Sequence, residues 1–120
     1  MLRRENDGSF AVHADLSEVA AGPANDMVVA ADGTAYVGNF GSDLMVGEER
    51  RPARLSVVRP DGTVTAAGTD LQFPNGSVIT ADGRTLYVLT CSSTPKPDLP
   101  VGSGQLWSVR VDVPKGDARP

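Results

Sequence analysis

The segment "FPNGSVITADGRTLYVLTC", Phe73–Cys91, repeats a pattern found about 50 residues earlier in "ANDMVVAADGTAYVGNF", Ala24–Phe40. Each segment has an Asn near the start of an apolar run, then Ala-Asp-Gly, then a second apolar run that contains a Tyr. Asp-Gly between two such runs is typical of a tight β-hairpin, because both residues tolerate positive φ. The sequence therefore predicts two equivalent hairpins. Either one hairpin type is simply used twice, or Asn25 and Asn75 are aimed at a common point.

The regions that precede the two hairpins extend the repeat. "NDGSFAVHADL", Asn6–Leu16, matches "PDGTVTAAGTDL", Pro60–Leu71. Each unit then contains four short strands with Asp-Gly turns, which predicts an all-β protein whose units have the size of β-propeller blades. We expect a single partial propeller domain over residues 1–120, with repeat units at about 2–41 and 54–91 and a closing strand at about 104–113.

The small number of units predicts open sheet edges. A propeller closes with four or more blades, and an unclosed set leaves unpaired backbone N–H and C=O groups at its edges. The chain is then expected to form a homo-oligomer through its open edges, to fold back locally into a sandwich, or to be unstable. The sequence leaves these three alternatives open.

Charge weighs against nucleic acid as a partner. The formal net charge is −4, and the dense basic stretch "EERRPAR", Glu48–Arg54, contains its own acids and no interleaved aromatic residue. These features predict a solvated loop rather than a nucleic-acid-binding patch.

The cysteine count and the hydropathy pattern predict a cytoplasmic protein. Cys91 is the only cysteine, which excludes an intramolecular disulfide or a cysteine cluster for zinc and fits a reducing compartment. The sequence turns polar at once after Met1 and has no apolar run long enough to span a bilayer. We therefore expect no membrane partner.

The two Asn-containing phrases resemble a known family. "GPANDMVVAADGTAYVGNFGSDL", residues 22–44, followed by "FPNGSVITADGRTLYV", residues 73–88, is similar to the gluconolactonase / senescence marker protein (regucalcin) / luciferin-regenerating enzyme-like family. The resemblance runs from Leu2 to about Val88, and the ordered combination of Asn-Asp, the "GNFG-DL" loop and "FPNG" is specific. It implies a six-bladed propeller, of which this chain would hold about two to three four-stranded antiparallel blades.

The C-terminal sequence resembles a different part of the same family. "SGQLWSVRVDVPKGDARP", residues 103–120, looks like the closing strand and tail of the last blade. The chain is therefore expected to be a truncated member, in which an internal deletion after the "DGRTLYV" phrase and a late start at Met1 have removed the other blades.

The resemblance implies a divalent cation in the central channel, Ca, Zn or Mg. In the family a first-blade Glu, the Asn of "PNG" and an Asp of a later "PDG" phrase hold the cation, which polarises the carbonyl of a lactone. The Asn of "PNG" corresponds to Asn75, which is the predicted metal ligand. The first-blade Glu has no counterpart, and Asp61 in "RPDGTV" is interpreted as an outer hairpin turn, so no catalytic residue is assigned.

The same resemblance implies three substrate-binding residues. Asn25 corresponds to an Asn that faces the substrate or the metal, and Asp26 is expected to orient Asn25 or to approach the cation. Asp43 is the carboxylate expected to point to the pocket from the loop that closes over the substrate. Taken without the resemblance, Asn25 and Asn75 are equally typical turn residues that bond their own backbone.

Two functions follow as expectations. The first is a lactonase-like hydrolase that opens a sugar-type lactone, a small-molecule substrate, with a divalent metal, impaired by truncation because charged ligands and the general base are missing. The alternative is a catalytically inactive propeller fragment that acts as an oligomerising or binding module.

Overall fold

The computed structural model describes residues 1–91 and 104–111, and these form antiparallel β-sheets throughout. Strands β1 and β2 form a two-stranded sheet, β3 to β6 a four-stranded sheet, and β7 to β9 a three-stranded sheet. The predicted all-β class and the division into two to three blades are confirmed. Residues 112–113 of the predicted closing strand lie outside the described residues. The strands are β1 Leu2–Arg4, β2 Phe10–Val12, β3 Ala24–Val29, β4 Ala35–Asn39, β5 Ala53–Val58, β6 Val64–Leu71, β7 Asn75–Ile79, β8 Thr85–Cys91 and β9 Gly104–Arg110.

The sheets are out of phase with the sequence repeat. The four-stranded sheet takes β3 and β4 from the first repeat unit and β5 and β6 from the second. Strands β3 and β7 each lie at the edge of their sheet and hold Asn25 and Asn75, respectively. Each repeat unit therefore ends one blade and begins the next, and the two Asn residues occupy corresponding strands of neighbouring sheets.

The Asp-Gly turns form hairpins in which only the glycine adopts positive φ. Gly33 has φ 88° and donates its N–H to Ala30 O at 2.9 Å. Asp32 instead accepts the backbone N–H of Thr34 on its carboxylate at 2.9 Å. This is a turn closed by a glycine in the left-handed region, held by an Asp side chain that bonds two residues ahead. The same side-chain bond recurs at Asp7, Asp61 and Asp82, which agrees with Asp61 as a turn residue.

Strand β4 separates two apolar clusters. Its residues are all buried, and Tyr36 packs on one face with Leu55 and Leu86, which joins the four-stranded sheet to the three-stranded sheet. On the opposite face Ala35 and Val37 form a second cluster with residues that include Ala14 and Val58. A strand buried on both faces is what stacked blades require, so the core lies between the sheets.

The three-stranded sheet has one apolar face in solvent. Val78 of β7, Leu89 of β8 and Leu106 of β9 are 61%, 55% and 65% exposed. The register pairs Leu89 with Leu106, and it pairs Val78 with Tyr87, which lies two residues before Leu89 on the same face of β8. These side chains alternate with the buried Leu86 and Val88, so they share the face that turns away from the core.

The helical content of the described residues is one short 3₁₀ turn, Leu44–Val46. Across residues 1–91 and 104–111, therefore, no helix has the length and the apolar character needed to cross a membrane.

We predict that the turn carboxylates make stability fall in acid. Hydrogen bonds from the backbone and side chain of Thr63 lower the pKa of Asp61 below its ordinary 3.8, and bonds from Thr80 and Arg84 lower the pKa of Asp82 likewise. A carboxyl whose pKa is lower in the folded state stabilises the fold above its unfolded value, and this contribution disappears as pH falls through 3.8 to the folded pKa.

Thermal unfolding between about pH 6 and pH 2 measures this effect. The double variant Asp61→Asn/Asp82→Asn keeps both side-chain acceptors for the turn but cannot titrate there, so its melting temperature should depend less on pH than that of the wild type. Identical pH profiles for the two proteins would contradict the prediction.

Candidate functional site

Strands β3 and β7 are joined by two side-chain hydrogen bonds. Asn25 donates from Nδ2 to the carbonyl of Pro74 at 2.9 Å. The neighbouring Asp26 accepts the backbone N–H of Ser77 on Oδ2 at 3.1 Å. These bonds fall on either side of Asn75, so the structure brings three of the four predicted site residues to one junction between two sheets.

Gly38 permits this junction to form. A Cβ placed on Gly38 would lie 2.5 Å from Asn25 Oδ1 and 2.5 Å from Pro74 O, which is closer than non-bonded carbon and oxygen atoms approach. A glycine inside a strand often marks a place where another backbone comes close. This glycine, in "AYVGN", is the feature of the sequence that marks the close approach of the two backbones.

Asn25 is engaged at both ends of its amide. Besides the bond to Pro74, its Oδ1 accepts the backbone N–H of Asp26 at 2.6 Å. The side chain is partly buried between the strands. Asn25 therefore holds the two sheets together, and within the described part of the chain the oxygen left without a hydrogen bond at this junction is Oδ1 of the exposed Asp26.

Asn75 is exposed and lines an open depression of about 310 Å³. Its Oδ1 accepts the N–H of Gly76 at 3.0 Å. An amide oxygen has two lone pairs, so this bond leaves one for a further partner. The depression combines the polar Asn75 with apolar side chains on its other walls. Its lining residues are Phe73, Asn75, Gly76, Leu89, Thr90 and Cys91.

Asp43 is occupied by its own loop. Its Oδ1 accepts the N–H of Met45 at 3.0 Å and caps the 3₁₀ turn. Its own N–H donates to Glu48 at 3.0 Å, and Glu48 also pairs with Arg51 at 2.9 Å. These two contacts lower the pKa of Glu48, the bond from Asp43 N–H most. Asp43 is therefore a local acceptor for the N–H groups of its own turn. No described contact links it to Asn75.

A second cluster beside the depression was missed by sequence analysis. The rings of Phe40 and Phe73 are stacked, with centroids 4.8 Å apart and planes at 6°. The guanidinium carbon of Arg50 lies 5.2 Å from the centroid of the Phe73 ring. Nε and Nη1 of Arg50 are buried and have no hydrogen-bond partner among the residues that the structure describes.

The interpretation of Glu48–Arg54 as a solvated loop describes only part of that segment. Arg51 is exposed and ion-paired with Glu48, as a solvated loop predicts, but Arg50 turns inward to Phe73. The sequence carries two adjacent arginines with no local feature that tells them apart. Their difference comes from residues more than twenty positions away.

Acidic ligands for a metal are sparse in the described region. Within residues 1–91 and 104–111, no group of three or more His, Cys, Asp or Glu residues lies close enough together to hold a metal ion. Asn75 lines the depression, and Asp26 is bonded to Ser77, two residues further along the same strand.

Comparison with known proteins identifies the family. The family model described as the SMP-30/Gluconolactonase/LRE-like region matches residues 1–116. The chain belongs to this family, a β-propeller family, as the paired "AND" and "FPNG" phrases predicted. Neither the comparison with curated proteins nor that with solved structures returned a match.

We predict that the two Asn residues differ in their contribution to stability. Asn25→Ala removes a donor and leaves the carbonyl of Pro74 unpaired at the junction, which should lower the free energy of unfolding by about 1–3 kcal/mol. Asn75→Ala removes an exposed side chain that bonds only its neighbour, and should change it by less than about 0.5 kcal/mol.

Urea unfolding of both variants beside the wild type measures the difference. Asn75→Ala is the matched control, since the same residue type is removed from the neighbouring strand. An equal loss of stability in the two variants would show that the Asn25–Pro74 bond does not hold the sheets together.

Proposed function

We propose that this chain is a lactonase-like hydrolase that opens a sugar-type lactone with a divalent cation, Ca, Mg or Zn, bound at Asn75. Membership of the gluconolactonase-like family supports the reaction class. The observation that carries the proposal is that Asp26 is bonded to Ser77, two residues from Asn75, which itself lines an open depression.

The residues present fit a weak cation site. An amide oxygen from Asn75 and a carboxylate oxygen from Asp26 are the hard donors that Ca²⁺ and Mg²⁺ prefer. Asp26 keeps Oδ1 without a hydrogen bond among the described residues, and Asn75 keeps one lone pair. Two protein oxygens are fewer than either ion requires, so water and substrate would complete the coordination and the affinity would be low.

When bound, the cation would supply Lewis-acid polarisation of the lactone carbonyl. The protein residues would bind and orient the substrate. Asp26 is exposed and can accept hydrogen bonds from the hydroxyl groups of a sugar-type ring, while Phe73 and Leu89 provide an apolar wall. Asn25 would contribute indirectly, because it positions Asp26 through the backbone bond at 2.6 Å.

Calorimetric titration of Ca²⁺, Mg²⁺ and Zn²⁺, followed by a lactone hydrolysis assay with the tightest ion, tests this proposal. We expect Asn75→Ala and Asp26→Asn each to weaken cation binding by about tenfold or more, since even indirect supports of a metal ligand cost that much. Hydrolysis of a gluconolactone above its spontaneous rate should fall in parallel.

Asp61→Asn is the control, because it changes a carboxylate that bonds its own turn at the outside of the sheet. It should leave cation affinity within twofold of the wild type. Wild-type protein that binds none of the three ions and produces no turnover would overturn the proposal.

A second candidate is an oligomerising module, favoured by the exposed apolar face of the three-stranded sheet. We propose that a second copy of the chain covers Val78, Leu89 and Leu106, which are all more than half exposed. The same sheet ends in β9, whose residues are exposed along its whole length. An apolar face beside a strand edge offers both side-chain burial and backbone pairing to a second copy.

The mass in solution tests the second candidate. We expect the wild type to self-associate as concentration rises, and Leu106→Lys to shift it to the monomer, because an interface would have to bury the introduced charge. Met45→Lys is the control, since Met45 is exposed at 87% on the loop rather than on this sheet. A wild type that sediments as a monomer at millimolar concentration would exclude this candidate.

A further inference from the structure

We propose that Arg50, seated on Phe73, binds the carboxylate of a hydroxy acid beside the Asn75 depression. The identity of this ligand rests on the proposed lactonase function, since opening a lactone creates such a carboxylate. The anion-binding chemistry itself rests on the Arg50 cluster alone, defined here as Arg50, Phe73 and Phe40.

The first argument is an unmatched charge. Nε and Nη1 of Arg50 are buried without a hydrogen-bond partner in the part of the chain that the structure describes, and no described carboxylate pairs with this residue. Arg51, next in sequence, is ion-paired and exposed. Buried N–H donors of a cation that lack acceptors are costly. The ring of Phe73 offsets part of this cost through a cation–π contact, but it offers no acceptor in the guanidinium plane.

The second argument is a way in for the ligand. Arg50 as a whole is only partly buried, so part of its side chain is open to solvent. A carboxylate that pairs its two oxygens with two guanidinium nitrogens has the bidentate geometry that arginine favours, and it would supply acceptors to donors that lack them.

The third argument is a fixed platform. Phe73 has φ 51°, in the left-handed region that residues other than glycine rarely occupy. Its ring contacts both the Phe40 ring and the Arg50 guanidinium. Such strain persists only where the surroundings impose it, and it is common at binding sites. Because Phe73 also lines the depression with Asn75, it connects the guanidinium of Arg50 to the proposed reaction site.

The chemistry of ring opening selects the ligand. Water adds its oxygen to the lactone carbonyl carbon, the bond from that carbon to the ring oxygen breaks, and the ring oxygen leaves as a hydroxyl with one of the protons of water. The new carboxylic acid releases its remaining proton to solvent and becomes a carboxylate. The neutral lactone lacks this charge, so Arg50 would distinguish the product from the substrate.

Binding of gluconate in the presence of EDTA tests the site without the metal. Calorimetry with wild-type protein should show millimolar binding of gluconate and none of sorbitol, a neutral polyol of the same chain length. Acetate should bind more weakly than gluconate, which separates a hydroxy-acid site from a site for carboxylates in general. Arg50→Gln should reduce gluconate affinity about tenfold or more, because a hydrogen-bonded charge pair is lost.

Two further variants make the result specific. Arg50→Lys keeps the charge but not the planar pair of donors, so its affinity should lie between those of the wild type and Arg50→Gln. Arg51→Gln, the matched control on the neighbouring residue, should bind within twofold of the wild type. Thermal unfolding of each variant establishes that it is folded. Gluconate should raise the melting temperature of the wild type and of Arg51→Gln, and should raise that of Arg50→Gln much less.

The outcomes separate this proposal from the lactonase proposal. Absence of gluconate binding to the wild type, or unchanged binding in Arg50→Gln, would overturn the carboxylate site, whatever the lactone assay shows. Equal affinity for gluconate and acetate would overturn its assignment to a hydroxy acid. Gluconate binding that depends on Arg50, in a protein without lactone turnover, would support the carboxylate site. It would contradict only the lactonase proposal.

Discussion

The hydrogen bond from Asn25 to the carbonyl of Pro74 is the contact on which the arrangement of the candidate site depends. It joins edge strands of two different sheets, and Gly38 leaves the space in which the two backbones approach. With Asp26 bonded to Ser77 on the other side of Asn75, the junction fixes where Asn75 stands relative to the four-stranded sheet. The apolar cluster around Tyr36 and Leu86 packs the two sheets against each other, but apolar packing alone does not fix how one sheet is aligned on the other. The side-chain bonds supply the register.

This arrangement places the two Asn residues in different environments. Asn25 uses both ends of its amide inside the protein, whereas Asn75 lies exposed in the depression with one bond to its neighbour. A repeated residue in a repeated strand therefore does not have a repeated role. The reason is position at the junction: the side chain that lies between sheets finds a carbonyl acceptor, and the one beyond it faces open space.

The two proposed ligand sites also differ in charge. Asp26 and Asn75 offer oxygen atoms suited to a cation, while Arg50 offers N–H donors suited to an anion. Phe73 lies against Arg50 and lines the depression with Asn75, so the two proposed sites share one residue. A lactone that opens at the cation would produce its charge near the group that neutralises it.

The sequence by itself determined the hairpins, the all-β class and the family, because these depend on short-range patterns. An Asp that bonds two residues ahead, a glycine at positive φ and the Asn-Asp and Phe-Pro-Asn-Gly phrases are all local. Through the repeat it also predicted that Asn25 and Asn75 would lie near a common point, and the family resemblance added Asp26 and Asp43. It did not determine that Asn25 would donate to the carbonyl of Pro74, or that Asp43 would cap its own turn. Nor did it determine that Arg50 rather than Arg51 would lie on Phe73. Those outcomes depend on which acceptors and rings the packed sheets bring near, and residues 49 positions apart meet only once the tertiary structure has formed.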